Sequence, residues 1–265
     1  MLLAIDAGNS NVTVGVFEGA QLRCHWRIRT ETGRTSDEYT ALLLPLFSRE
    51  CLTFKDISGV IIASVVPAAT PDLARFAQRI FGQEALIVTN QTNIGLEVDY
   101  QPPGDVGADR LVDAAAAVAK YGAPCIVIDF GSATTFNAIA APRAPGGLPI
   151  YLGGAICLGI GLSLDALFAK AAKIPRVELA SPPHAIGNNT THALQSGILF
   201  GTLALVDGLV ARFRAEMGTP GCPVIATGGY AASLIGQQST VITAIDPLLT
   251  LDGLRLVYAR NRPDA

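Results

Sequence analysis

Two short phrases in this chain set a carboxylate beside a glycine and small hydroxyl or amide residues: Ile5-Asp6-Ala7-Gly8-Asn9-Ser10-Asn11 near the start and Ile128-Asp129-Phe130-Gly131-Ser132-Ala133-Thr134 in the middle. Each glycine lets the backbone turn tightly and present N–H groups while the aspartate faces the same space. Two such tips facing one another would make a phosphate clamp with acidic groups for a cation. One Asp-x-Gly alone is common turn chemistry. Its return about half a chain later, with the same order of elements around it, marks a duplicated domain.

Two further segments could carry chemistry. Tyr100-Gln101-Pro102-Pro103-Gly104-Asp105-Val106-Gly107-Ala108-Asp109-Arg110 is a loop by its Pro and Gly content and runs into an apolar helix over Leu111–Ala119. Asp109 and Arg110 therefore stand at a helix N-terminus, which favours an anion, although an N-cap and a surface charge would read the same way. Thr227-Gly228-Gly229 follows a short strand and opens a helix, where adjacent glycines allow close approach to a flat adenine and ribose or simply make a helix-entry turn.

The elements that must position these residues follow from periodicity. Alternating and apolar runs predict strands over about 2–6, 12–17 and 22–30, a helix from Ser36 to about Phe47, a buried strand at Gly59–Ser64, a helix after Pro71 and a strand at Ala85–Val88. From near Ala114 the order repeats. Strands fall at 125–130, 134–140 and 151–156, helical stretches at Leu162–Ala172 and Thr190–Arg214, a short strand at Val224–Ala226, a helix near Ala231–Ile235 and a strand at Ser239–Ala244. The expected fold is α/β, two duplicated domains (1–113 and 114–265) with mixed sheets and a cleft between them, as in the actin-like ATPase and sugar kinase superfamily.

Composition narrows the function class. Half of the 265 residues are hydrophobic, 15% are charged and the net charge is −3 with no clustered Lys/Arg run, which argues against nucleic acid or an anionic membrane as the main partner. Cys24, Cys51, Cys125, Cys157 and Cys222 form no CxxC pair and read as reduced cysteines of a cytoplasmic protein. The N-terminus enters strand one directly, with no signal peptide in view. The apolar stretches Tyr151–Ala169 and Leu194–Val210, interrupted by aspartate and glycines, read as buried structure rather than membrane spans. His25, His184 and His192 lack metal-ligand spacing. Gly197, Gly201 and Gly208 along an apolar helix suggest close helix packing, inside the domain or across a dimer interface.

In order and approximate spacing, Asp6-x-Gly8-Asn9-Ser10, Gly107-Ala108-Asp109-Arg110, Asp129-x-Gly131-Ser132-Ala133-Thr134, Gly153-Gly154-x-Ile156, Gly187-x-Asn189-Thr190 with Gln195-Ser196-Gly197, and Thr227-Gly228-Gly229 resemble the type III pantothenate kinases over nearly the whole chain. Gly-Ala-Asp-Arg between the two hairpins is the specific part. The resemblance implies ATP-dependent phosphorylation of pantothenate, a homodimer, magnesium and a monovalent cation (K+ or NH4+). It implies that Asp6, Ala7, Gly8, Asn9, Ser10, Asn11, Val12 and Thr13 form the ATP phosphate loop, with Asp6 serving the magnesium. Ser132, Gly228 and Gly229 would contact ATP, and Asp129 would hold the monovalent cation. Tyr100, Gly107, Ala108, Asp109, Arg110 and Thr190 would bind pantothenate, with Asp109 as proton acceptor.

Four positions depart from the family pattern: Leu158 where Pro is usual, Asn137 where Asp is frequent, and Ser10 and Ser132 in place of Thr. Rival readings are a kinase for another hydroxylated substrate, such as a sugar, and a non-catalytic regulator of the Bvg accessory factor group, which resembles this family. The short chain argues against the first, the retained Asp6, Asp109 and Asp129 against the second.

Overall fold

A computed structural model of the chain describes residues 1–170, 176–229 and 235–263. Its elements run β1 (Leu2–Ala7), β2 (Asn11–Glu18), β3 (Gln21–Arg29), α1 (Ser36–Arg49), β4 (Gly59–Ser64), α2 (Thr70–Phe76), β5 (Leu86–Ile87), β6 (Glu97–Val98) and α3 (Ala108–Tyr121). They continue with β7 (Cys125–Phe130), β8 (Ala133–Ala140), β9 (Ile150–Leu158), α4 (Ile160–Lys170), α5 (Thr190–Glu216), β10 (Val224–Thr227), the short α6 (Gly236–Gln238), β11 (Ala244–Ile245) and α7 (Leu249–Asn261). Two compact units result, Met1–Ala116 with Leu249–Ala265, and Ala117–Leu248.

In the first unit β1, β2 and β3 form an antiparallel meander and β4 and β5 add in parallel, giving the order β3-β2-β1-β4-β5. Strand alternation sends Leu3, Ile5, Val12, Val14 and Trp26 to one face, where Tyr39, Leu43 and Phe47 of α1 and Leu73 and Phe76 of α2 close the core. α1 begins where Thr35 and Glu38 form a capping box, each side chain accepting the other's backbone N–H. The opposite face of the sheet receives α7, which packs on β1, β2 and β4. Leu251 fills the space left by Gly15, and Gly253 abuts the Val112 carbonyl of α3 so closely that no side chain fits there. The sequence pattern marks no element over residues 249–261 and places them with the second domain, whereas they form α7 and pack with the first unit.

The second unit repeats the pattern, its own strands ordered β11-β10-β7-β8-β9 with β7, β8 and β9 antiparallel and β10 and β11 parallel to β7. Ile126, Ile128, Phe130 and Phe136 meet Ile160 of α4 and Leu199, Val206 and Val210 of α5 in its core. Gly154 is required where β9 crosses β8, because a Cβ would fall on the Phe136 carbonyl. Just before the chain returns to the first unit, Asp246 is nearly buried and pairs with Lys120 (2.5 Å) while accepting the Tyr121 hydroxyl (3.1 Å).

Three details differ from the sequence expectation. The strand expected at Ser239–Ala244 is only Ala244–Ile245, because the Ser239 hydroxyl accepts the N–H groups of Val241 and Ile242 and turns the chain. α3 starts at Ala108, so Asp109 and Arg110 lie within its first turn. α5 fully buries only Leu199, Val206 and Val210, so its apolar surface is mostly open rather than core; by length and composition it could cross a membrane. The helix expected near Ala231–Ile235 and the end of that expected over Leu162–Ala172 lie, apart from Ile235, outside the described residues.

Candidate active site

The first hairpin is tight. Asp6 faces Thr13 across β1 and β2, Ala7 faces Val12, and the Gly8 N–H donates to the Asn11 carbonyl (3.0 Å), leaving Asn9 and Ser10 as an exposed two-residue tip. A Cβ at Gly8 would sit 3.3 Å from the Asn11 carbonyl, a tight contact that glycine avoids. Thr30, just past β3, ties that strand to the tip: its N–H donates to Ser10 O (3.1 Å) and its hydroxyl to Gly8 O (2.6 Å). Nothing in the local sequence marked Thr30 for this, since the bond spans 22 residues.

Asp109 lies in the same unit. Its Oδ1 accepts the Arg110 N–H (2.8 Å), and Gly107 makes room for it, since a Cβ at 107 would collide with that oxygen and lie 3.4 Å from the Val65 side chain. Val65 in turn donates its N–H to the Ala7 carbonyl (3.0 Å) at the end of β1. The carboxylate thus stands beside the strand ends that carry the first hairpin. Burial pushes its pKa up, against the lowering effects of the Arg110 N–H and guanidinium. A free aspartate is an ordinary carboxyl; burial here makes the Asp109 carboxylate more basic than that. Arg110 is buried, and Tyr100 is half-buried in the preceding loop.

In the second unit Asp129 faces Thr135 as Asp6 faces Thr13, and Phe130 faces Thr134, so the second tip is Gly131-Ser132-Ala133. The Gly131 N–H donates to Ala133 O (3.1 Å) and the Gly159 N–H to Ser132 O (3.2 Å). Gly228, at φ +89°, sits where a Cβ would strike the Asp129 carboxylate and lie 2.7 Å from Phe130 N, so Gly228 and Asp129 are brought together, while Ser132 stands in the tip that follows Phe130. Thr190 is the exposed first residue of α5, which Asn189 caps by accepting the His192 N–H (2.9 Å).

The family model for type III pantothenate kinase matches residues 2–212. Curated type III pantothenate kinases from Moorella thermoacetica and Myxococcus xanthus are both 46% identical over 98% of this chain, covering 100% and 99% of those proteins. The chain belongs to the type III pantothenate kinase family. Among solved structures, a Campylobacter jejuni protein of the Baf family superposes with TM-score 0.61 at 17% identity, covering 98% of this chain and 99% of that one. A Sinorhizobium meliloti chain named for 2-dehydro-3-deoxygalactonokinase gives 0.58 at 14% identity, covering 100% and 98%. These two likenesses show the fold alone.

The departures from the type III kinase pattern have structural readings. Asn137 is fully buried in β8, accepting the Tyr151 hydroxyl (2.9 Å) and donating to the Thr135 hydroxyl (3.4 Å) on the face that carries Asp129. Leu158, unlike Pro, lets β9 continue to its end opposite Ala133. Among the described residues no three His, Cys, Asp or Glu side chains gather as a metal cluster. A lone carboxylate such as Asp6, completed by phosphate oxygens and water, is the donor set that magnesium commonly takes.

Proposed function

We propose that this protein transfers the γ-phosphoryl group of ATP to the primary hydroxyl of pantothenate, the first step towards coenzyme A. The hydroxyl oxygen bonds to the γ-phosphorus, the bond to the β–γ bridging oxygen breaks, ADP leaves, and the hydroxyl proton passes to Asp109. Such a transfer has a loose transition state, so the protein mainly aligns the nucleophile and offsets phosphate charge. Asp6 to Thr13 hold the phosphates, and Asp6 holds magnesium, which when bound neutralises charge on the phosphate oxygens. Ser132, Gly228 and Gly229 receive the nucleotide, and Asp129 receives a monovalent cation, K+ or NH4+. Tyr100, Gly107, Ala108, Arg110 and Thr190 hold pantothenate.

The observation that carries this reading is Asp109: a nearly buried carboxylate whose pKa is raised, inside the Gly-Ala-Asp-Arg phrase of a type III kinase chain. An acceptor is more effective as its pKa approaches the working pH. Ile156 and Leu158 of β9 are 65% and 61% exposed, and Gly197 and Gly201 of α5 face open space. With Ile160 and Leu205 these glycines and Leu158 line a hollow of about 210 Å³, and an apolar surface of this kind supports a homodimer. All five cysteines are free, which supports a reducing, cytoplasmic setting. The test is ATP consumption by purified protein with pantothenate, magnesium and potassium, and with sodium in place of potassium. Pantothenate-dependent ADP release that needs potassium is expected; folded protein that releases none would overturn the reading.

A further inference from the structure

The register of the first sheet places a cation row beside the first hairpin. In β2–β3 pairing Thr13 stands opposite Arg27 and Asn11 opposite Arg29, while in β1–β2 pairing Thr13 stands opposite Asp6. Directly paired residues of antiparallel strands share a face, so Asp6, Thr13 and Arg27 form one cross-strand row. Arg29 lies in the next row towards the tip. This is the face opposite Ile5, Val14 and Trp26, which are core. One row the other way, Gly15 opposite His25 lies under Leu251 of α7, but Asp6 and Thr13 are only half-buried and Arg27 and Arg29 are exposed.

The cations here are not spent on structure. Ion pairs among the described residues engage Arg23 with Glu18 and Arg34 with Glu31, and include neither Arg27 nor Arg29. Thr30 bonds β3 to Gly8 and Ser10, so the strand that carries both arginines is held to the tip. Two strand spacings separate Arg27 from Asp6, about 10 Å between backbones, a gap that a long guanidinium arm reaching across Thr13 shortens. The first hairpin otherwise offers phosphates only neutral donors and a carboxylate: Gly8, Asn9, Ser10, Asn11, Thr13 and Asp6. A guanidinium beside the hairpin would supply the positive charge that its own residues lack for an ATP tail.

We infer that Arg27, seconded by Arg29, is a nucleotide-binding residue: its guanidinium crosses Thr13 and pairs with the phosphate oxygens of ATP held on the first hairpin. The inference rests on the reading of that hairpin as the ATP phosphate loop. Arg suits the task because its planar fork can hold two oxygens at once. A bland role for the same side chain is to keep an edge strand from pairing with other chains, since β3 ends the sheet. That role would change aggregation and leave substrate constants alone.

The experiment compares Arg27→Gln, Arg27→Lys and Asp6→Asn in the full chain, with KM for ATP and pantothenate, kcat, and competitive inhibition by adenosine and by ADP. Losing one charge-assisted contact costs about 10- to 100-fold in affinity. R27Q should raise the KM for ATP and the inhibition constant for ADP by that factor, leaving adenosine inhibition, the KM for pantothenate and the melting temperature as they were. R27K should recover part of the loss. Wild-type ATP and ADP constants in R27Q, with D6N impaired, would overturn the inference and leave the phosphate-loop reading standing. Wild-type behaviour in both variants would overturn that reading and the inference with it.

Discussion

Replacing Asp109 with Asn should make the protein more stable and nearly inactive. Asn keeps the shape and can still accept the Arg110 N–H that now lies 2.8 Å from Oδ1. What it removes is a negative charge that burial disfavours, the largest cause of the raised pKa. Relief at a functional site of this kind typically amounts to ~1 kcal/mol, or about 2–4 °C in Tm for a chain of this size. The sign with pH follows from the same shift. In the unfolded chain the carboxyl titrates near ~3.9, so below that it is neutral in both states and wild type bears no penalty. As pH rises from there through the raised folded-state value, the native state loses stability relative to the unfolded one, and above it the full penalty persists. Differential scanning fluorimetry of both proteins from pH 4 to 8 should show D109N gaining its advantage across that interval and then holding it. Turnover, by contrast, should fall ~100- to 10,000-fold, and wild-type kcat/KM should drop on acidification through the same raised value. Equal Tm values at every pH would refute the claim that burial strains the charge, and D109N turnover within a few-fold of wild type would refute the base.

Gly228→Ala puts a Cβ at φ +89° against Phe130 N and the Asp129 carboxylate; a loss of about 3 kcal/mol in urea unfolding and a raised KM for ATP are expected. Tyr151→Phe deprives the buried Asn137 of a donor at 2.9 Å and should cost about 1–3 kcal/mol by the same measurement. If the proposed homodimer forms through the open face of β9, paired Ile156→Glu and Leu158→Glu substitutions should sediment as monomer where wild type sediments as dimer, without loss of helix signal; a wild-type monomer would overturn the dimer, and an unchanged dimer in the variant would overturn this interface.

Much of this kinase was legible along the chain, and for physical reasons that are local. β4 falls at Gly59–Ser64 as read, and the three strands of each meander lie within a few residues of their expected ends, because a period-two pattern and turn glycines act over a handful of neighbours. The tips at Asn9-Ser10 and Gly131-Ser132-Ala133 were likewise written in residue type. Even the duplication was visible, and the common order of each unit's own strands, β3-β2-β1-β4-β5 and β9-β8-β7-β10-β11, is its structural counterpart.

Tertiary structure decided what depends on distant residues meeting. Burial raises the pKa of Asp109, and Val65 and Gly107 lie around it, 44 and 2 positions away in the chain. Gly228 reads as a helix-entry glycine until β10 lies beside β7 and its missing side chain makes room for Asp129. α7 shows little local sign of belonging to the first unit; the apolar face of β1, β2 and β4 claims it, because burial rewards area wherever in the chain it comes from. Arg27 looks like one more edge charge until strand register sets it in line with Thr13 and Asp6. Residue types and their spacing determined which groups are available for phosphoryl transfer, and long-range packing decided which of them share a face and that Asp109 holds its proton more tightly than a free carboxyl.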